Sequence, residues 1–254
     1  MPAKRSGDHD KSIIKRHLRP AFGELRRRDL SVKHVDAYVV EREHLNIKTI
    51  ANHLTTFIAM LNVAVDLGWL LKVPRIRKPK VRIFDADYSY LRTDDEIRRF
   101  LVAAHREGSM VFALYATAVF TGMRAGELAG LRWDGVSFER RLITVQRSFD
   151  GPTKAGDVRY VPILDVLLPI LKQWHELHPG TLVFTNRDGR MLGKSARIFQ
   201  EVLHRVLDRA GFEQVQRDNR VENYIVFHDL RHTFASHWMM RGGDLFRLER
   251  ERFI

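Results

Sequence analysis

Apolar residues recur at helical spacing through most of the first 70 positions. Ile50, Leu54, Ile58, Leu61 and Val65 fall three or four apart on one face, which predicts a helix from about Lys48 to Leu67. Gly68 supplies its stop. Ser31 is placed to cap a helix carrying Val35 and Val39. Lys11 to Leu18 is a shorter amphipathic stretch, stopped by Pro20 and Gly23. A second patterned region opens at Thr93-Asp94-Asp95-Glu96, which has the form of a capping box. Its helix turns Ile97, Phe100, Leu101 and Ala104 inward. Ser109 is expected to cap the next helix and Gly122 to end it. The apolar run Met110 to Phe120 is too short to span a bilayer and reads as a buried helix. A shorter helix follows through Leu128 and Leu131. Leu142 to Phe149 and Arg159 to Ile163 read as strands, and the turn-rich Asp150-Gly151-Pro152-Thr153-Lys154-Ala155-Gly156-Asp157 between them makes a hairpin. Helical stretches near 165–177, 195–210 and 228–241 complete the pattern, with no internal repeat.

Between the two regions lies Lys72 to Arg82, KVPRIRKPKVR, with two prolines, six basic residues and no acid. Proline denies the backbone its helical hydrogen bonds, so this segment reads as a linker. Charge sharpens the reading. Residues 1–82 hold 18 Lys and Arg against 8 Asp and Glu, while the rest of the chain is nearly balanced at 25 against 23. A basic excess concentrated in the N-terminal third attracts a polyanion through counterion release, and nucleic acid is the partner it suggests. A solvated, soluble surface is the plainer explanation of the same charge. Arg75, Arg77, Lys78, Lys80 and Arg82 are the candidate phosphate contacts. The chain of 254 residues is long enough for two cores, and 44% apolar content fits a globular protein. It has no cysteine, which excludes disulfides and thiolate metal sites. The polar first 13 residues give no secretory signal, so a cytoplasmic protein without membrane attachment is expected.

No metal or cofactor pattern stands out. His228 and His232 are four apart but lack the glutamate that a zinc-protease helix carries beside its first histidine. No phosphate-binding loop is present. Two arginines have unusual settings. Arg124 follows a helix-ending glycine in Thr121-Gly122-Met123-Arg124-Ala125-Gly126-Glu127-Leu128, where free backbone N–H groups favour an anion. Arg231 lies in His228-Asp229-Leu230-Arg231-His232-Thr233, three after His228 and so on its helical face. Two guanidinium groups converging on one phosphate would offer always-charged, bidentate contacts. Each arginine taken alone reads as an ordinary salt-bridge partner.

At these residues the chain resembles the tyrosine recombinases, the phage integrase family. TGMRAGELAGLRWDGV is similar to the segment of the first catalytic arginine, and HDLRHTFASHWMMRGGD to the segment of the His-x-x-Arg motif. Pro152-Thr153-Lys154 with Arg159-Tyr160-Val161-Pro162-Ile163 resembles the hairpin that carries the catalytic lysine, and HLRPAFGEL the N-terminal core-binding domain. The resemblance implies a mainly α fold with a small antiparallel β-sheet: a helical DNA-binding domain over 1–71, a basic linker over 72–86 and a catalytic domain over 87–254. It implies that Arg124 and Arg231 clamp the scissile phosphate. Lys154 would be the general acid at the leaving 5′-oxygen, and His228 would assist proton transfer at the attacking phenol. Glu127 would orient Arg124. The covalent phosphotyrosine stores the energy for rejoining without ATP, metal or cofactor. Partners implied are duplex DNA and other recombinase subunits clasping it, with no small-molecule substrate. Lys154 also reads as a solvated lysine at a hairpin tip, Glu127 as a helix-surface charge, and His232 as a packing histidine.

The resemblance ends near Leu248. Beyond Gly242-Gly243-Asp244-Leu245-Phe246-Arg247-Leu248 no Leu-Gly-His-like turn appears, and all six tyrosines precede His228. The N-terminus also looks short by one helix. A truncated catalytic domain is expected, unable to cut because the nucleophile is missing. Three functions follow: a strand-exchange enzyme lineage, a binding-only protein that occupies recombination sites, and a DNA-binding regulator whose helices share the motifs.

Overall fold

A computed structural model describes residues 7–80, 89–149, 151–152, 158–212, 214–217, 220–223 and 225–244. Lys154, Arg82, the segment 249–254 and Tyr88 and Tyr224 lie outside the described residues. The chain divides into two compact units, Met1–Ala86 and Asp87–Ile254.

The first unit is helical. Helix α1 (Gly7–Ile13) runs through a π-turn (Ile14–Leu18) into α2 (Arg19–Phe22). Pro20 was expected to stop this helix, and it does not. The wide turn before it already shifts the hydrogen bonding, with the Arg19 amide reaching back to the Ile14 carbonyl. Pro20 then sits in the first turn of α2, where its missing N–H costs nothing. Gly23 ends the run, its amide on the Arg19 carbonyl at 2.8 Å. Helix α3 (Val32–Val40) starts at Ser31, whose amide donates to His34 Nδ1 at 3.2 Å. Helix α4 (Ile47–Asp66) starts at Asn46, whose side chain accepts the Lys48 amide at 2.9 Å. Gly68 closes the chain past its end with a φ of 70°, the left-handed region that glycine enters without strain.

Ile50, Leu54 and Leu61 are buried on α4 as the spacing predicts, with Ile58 and Val65 half-buried at the edge of the stripe. Phe57 and His53 share that stripe, and Phe57 stacks on Phe22 at 4.3 Å. Each such burial contributes about 1.5–3 kcal/mol. Val73 and Ile76, inside the stretch expected to be a linker, pack on this core. Arg75, Arg77, Lys78 and Lys80 alternate with them and are exposed.

The second unit is built around α6 (Ser109–Thr121), which is buried on nearly every side and packs against α5 (Asp94–Glu107), α8 (Leu168–Leu177) and α10 (Asp229–Met240). The Thr93 hydroxyl caps α5, accepting the Glu96 amide at 3.1 Å, while Glu96 reaches back to the Arg92 amide. Gly108, not Ser109, occupies the cap of α6, because a φ of 124° is needed to turn out of α5. Helix α7 (Ala125–Ala129) is a single turn that stops at Gly130, so Leu131 lies beyond it. Leu142 to Phe149 is two strands. Strand β2 (Leu142–Val145) pairs antiparallel with β1 (Val136–Ser137) and β5 (Arg159–Pro162), Thr144 facing Tyr160. After exposed Gln146, β3 (Arg147–Ser148) pairs with β4 (Gly151–Pro152) instead. Helix α9 (Glu201–Arg209) packs on α5, and β6 (Gln214–Arg217) and β7 (Arg220–Asn223) form a hairpin that the apolar pattern did not signal. Buried Thr233 on α10 holds the chain at Leu91, whose amide it accepts at 3.0 Å. The fold is mainly α with small antiparallel sheets, and the three-stranded one runs β1-β2-β5.

Candidate active site

The site forms where α6 ends, α7 begins and α10 crosses. Gly122 ends α6 at a φ of 60°, and a Cβ there would stand 2.7 Å from the Phe234 ring of α10. The bare glycine lets α10 come this near. The Gly122 carbonyl then accepts a hydrogen bond from Arg231, in the first turn of α10. Arg124 follows two positions later as the cap of α7. Two residues distant in sequence are thus carried to one place.

Helix α7 lies close on β3 for a similar reason. Gly126 and Gly130, one turn apart, face the strand, and a Cβ on Gly126 would meet Ser148 Oγ at 2.3 Å. That approach brings Glu127 beside β5. Glu127 is 6% exposed. Its Oε2 accepts the Arg124 amide at 2.8 Å and Arg159 Nη2 at 2.6 Å, and its Oε1 accepts Arg124 Nη1 at 3.1 Å. The Arg124 side chain is 46% exposed, whereas Arg159 is 11% exposed.

Arg231 is 4% exposed. Burial pushes its guanidinium down to about 9; the neighbouring charges of Arg124 and Arg159 push the same way, and Glu127 opposes them. It remains a cation at neutral pH. Those mutual effects mark three arginines gathered around one carboxylate, a local excess of positive charge suited to an anion. His228 ends its turn at the surface beside this group. Burial of its ring lowers its pKa, assisted by His232, Arg231 and Arg124, so the imidazole is neutral near pH 7 and can accept a proton. The His232 ring lies edge-on to it at 5.3 Å. Asp229 is pushed up by burial, against the pull of the Val226 amide, which it accepts at 2.8 Å.

Of the residues singled out from sequence, Arg124, Glu127, His228 and Arg231 come together. Lys154 lies outside the described residues. Arg159 was not singled out. Its signal was available: it shares the inward face of β5 with Val161, and an arginine facing a core needs an anionic partner. Among the described residues no group of three His, Asp or Glu side chains is placed to hold a metal ion. No helix among them is long and apolar enough to cross a membrane.

The model of the phage integrase family matches residues 92–250. A tyrosine recombinase XerC-like protein of Caldanaerobacter subterraneus subsp. tengcongensis is 29% identical over 238 residues, a match that covers 78% of this chain and 56% of that protein. The chain therefore spans little more than half the length of this relative. Among solved structures, the Tn1549 transposon integrase in complex with transposon right-end DNA superposes with a TM-score of 0.81 at 16% identity, covering 99% of this chain and 86% of the other. A lambda integrase dimer bound to a core site gives 0.74 at 17% identity, covering 98% and 88%. At these identities the superpositions establish the fold.

Proposed function

The chain belongs to the phage integrase family, and on that premise we propose that it binds double-stranded DNA and grips one backbone phosphate between Arg124 and Arg231. The observation that carries this reading is the meeting of these guanidinium groups, one half-exposed and one sealed in the core, near enough to repel each other. A phosphodiester between them offsets that repulsion with charge-assisted hydrogen bonds. None of the six tyrosines of these 254 residues follows His228; were a tyrosine nucleophile supplied to the site, its phenol oxygen would bond to phosphorus and its proton would pass towards His228. The bond from phosphorus to the 5′-oxygen would break, and that oxygen would take a proton from Lys154. One phosphodiester replaces another, so no energy source is consumed. Arg124 and Arg231 stabilise the charge growing on the other phosphate oxygens, with Glu127 orienting Arg124. Arg75, Arg77, Lys78, Lys80 and Arg82 supply phosphate contacts that do not depend on sequence. The lambda integrase neighbour is a dimer on its site, which supports action beside other subunits. Action on DNA is compatible with a cytoplasmic protein.

A second reading is occupancy of a recombination site without cleavage, favoured by one observation: all six tyrosines of these 254 residues precede His228. A suicide substrate built on a site selected from random duplexes separates the two. A trapped covalent adduct supports strand transfer, and retention without an adduct supports occupancy. Arg124→Ala and Arg231→Ala are each expected to weaken engagement of the cleavage-site phosphate roughly ten- to hundred-fold, the loss of a hydrogen-bonded charge. Unchanged binding in both variants would favour a regulator that shares only the motifs.

A further inference from the structure

Arg159 has no role in the reading above, yet it bonds directly to the carboxylate at the centre of the network. It opens β5, a short way after Lys154 in sequence, and turns its guanidinium inward to Glu127 Oε2. That oxygen also takes the Arg124 amide, so only Oε1 remains for the Arg124 guanidinium. A carboxylate with both oxygens available pairs with an arginine as a two-pronged fork. We infer that Arg159 is a positioning residue: by occupying Glu127 Oε2 it limits Arg124 to a single-point contact and keeps the rest of that guanidinium available to a phosphate. The inference rests on the reading of Arg124 as a phosphate ligand. The burial of Arg159 supports it. Desolvation pulls its guanidinium below the usual range, and Glu127 is the partner that pulls it back. A buried cation is costly to keep unless its partner offsets the desolvation, and here the partner is the residue that sets Arg124. Without Arg159, Glu127 is released to close on Arg124 with both oxygens and draw it out of the site.

The test is a titration of the full 254-residue chain with inorganic phosphate, read from the arginine side-chain 15N spectrum. The Arg124 resonance is identified by its loss in Arg124→Ala, and it is expected to shift saturably in the unaltered protein. Arg159→Met and the charge-conserving Arg159→Lys are expected to raise the phosphate dissociation constant about 5- to 10-fold, the scale of one charge-assisted contact. Adding Glu127→Gln to Arg159→Met is expected to restore it to within about two-fold, since a neutral amide does not sequester Arg124; such coupling is what a double-mutant cycle measures. An arginine that only supported the fold would lower the urea midpoint of the Arg159 variants without raising the phosphate constant of the folded protein, so midpoint and constant are read together. An unchanged constant in both Arg159 variants would overturn the inference while leaving Arg124 as the ligand, and so would failure of the double variant to recover. An Arg124 resonance that phosphate does not move in the unaltered protein would remove the parent reading, and this one with it.

Discussion

Both units bury polar side chains, but the N-terminal network closes on itself and the C-terminal one opens to the surface. In the first unit the Tyr38 hydroxyl meets His53 Nδ1 at 2.9 Å, both residues buried, and His17 stacks on the His53 ring at 4.3 Å. Arg42 covers the Tyr38 ring at 3.9 Å. In the second unit, buried Glu127 and Arg231 and the largely enclosed Arg159 lead outwards to Arg124, nearly half of which faces solvent. The same kinds of group serve different ends. A network that satisfies itself fixes which helix faces pack together, whereas one that ends at an exposed guanidinium keeps donors for a ligand.

The comparison can be broken in three places. The largest expected effect is at Glu127, which bonds to both Arg124 and Arg159. Glu127→Ala leaves Arg159 buried without it and is expected to cost about 3 kcal/mol, as when one partner of a buried ion pair is removed. A lower urea midpoint at unchanged slope would show it. A midpoint that does not move would mean that the open network bears no part of the fold. Next is the closed network, where Tyr38→Phe is expected to cost about 1–2 kcal/mol by leaving the His53 ring without its partner. It also carries a pH signature. Burial holds His53 below its ordinary 6.5, seconded by His17, Arg42 and His9. The unfolded chain therefore takes up its proton first, so stability present above 6.5 is lost as pH falls towards the folded value. Thermal midpoints between pH 7.5 and pH 5 are expected to fall less steeply in His53→Gln, within about the range over which histidine titrates. Equal slopes would assign the acid sensitivity elsewhere. The smallest effect is expected at Arg197, paired with Glu201 outside both networks and 75% exposed. Arg197→Ala should change stability by less than about 0.5 kcal/mol, and a larger loss would undo the use of exposure to rank these sites.

Much of the fold was legible in residue spacing because α4 and α5 each bury one face at a regular period. Gly68 and Gly122 announced helix ends because both need a left-handed backbone. His53 was not legible: its place in the α4 stripe depends on Tyr38, a partner on another helix. Pro20 misled because the π-turn that accommodates it leaves no mark in composition. The hairpin of β6 and β7 was silent because Gln214–Arg217 and Arg220–Asn223 are mostly polar. At the site, Arg124 and Arg231 stood out through their motif segments, which carry local signals. Arg159 gave only its alternation with Val161 as a signal, because the partner that explains it, Glu127, lies across the fold.

The bare face of α7 has a consequence for how variants would be read. With hydrogen alone at 126 and 130, the helix rests on the Ser148 hydroxyl and the Phe149 ring at the first position and on the β3 backbone at Arg147 and Ser148 at the second. Those two positions act as spacers of minimum thickness. A methyl group at either would lift the turn by a fraction of an ångström and carry the adjoining carboxylate away from the strand. A screen that scores only melting temperature would file both sites under packing, although on the proposed function the harm would be felt first in how tightly a phosphate is held several residues away.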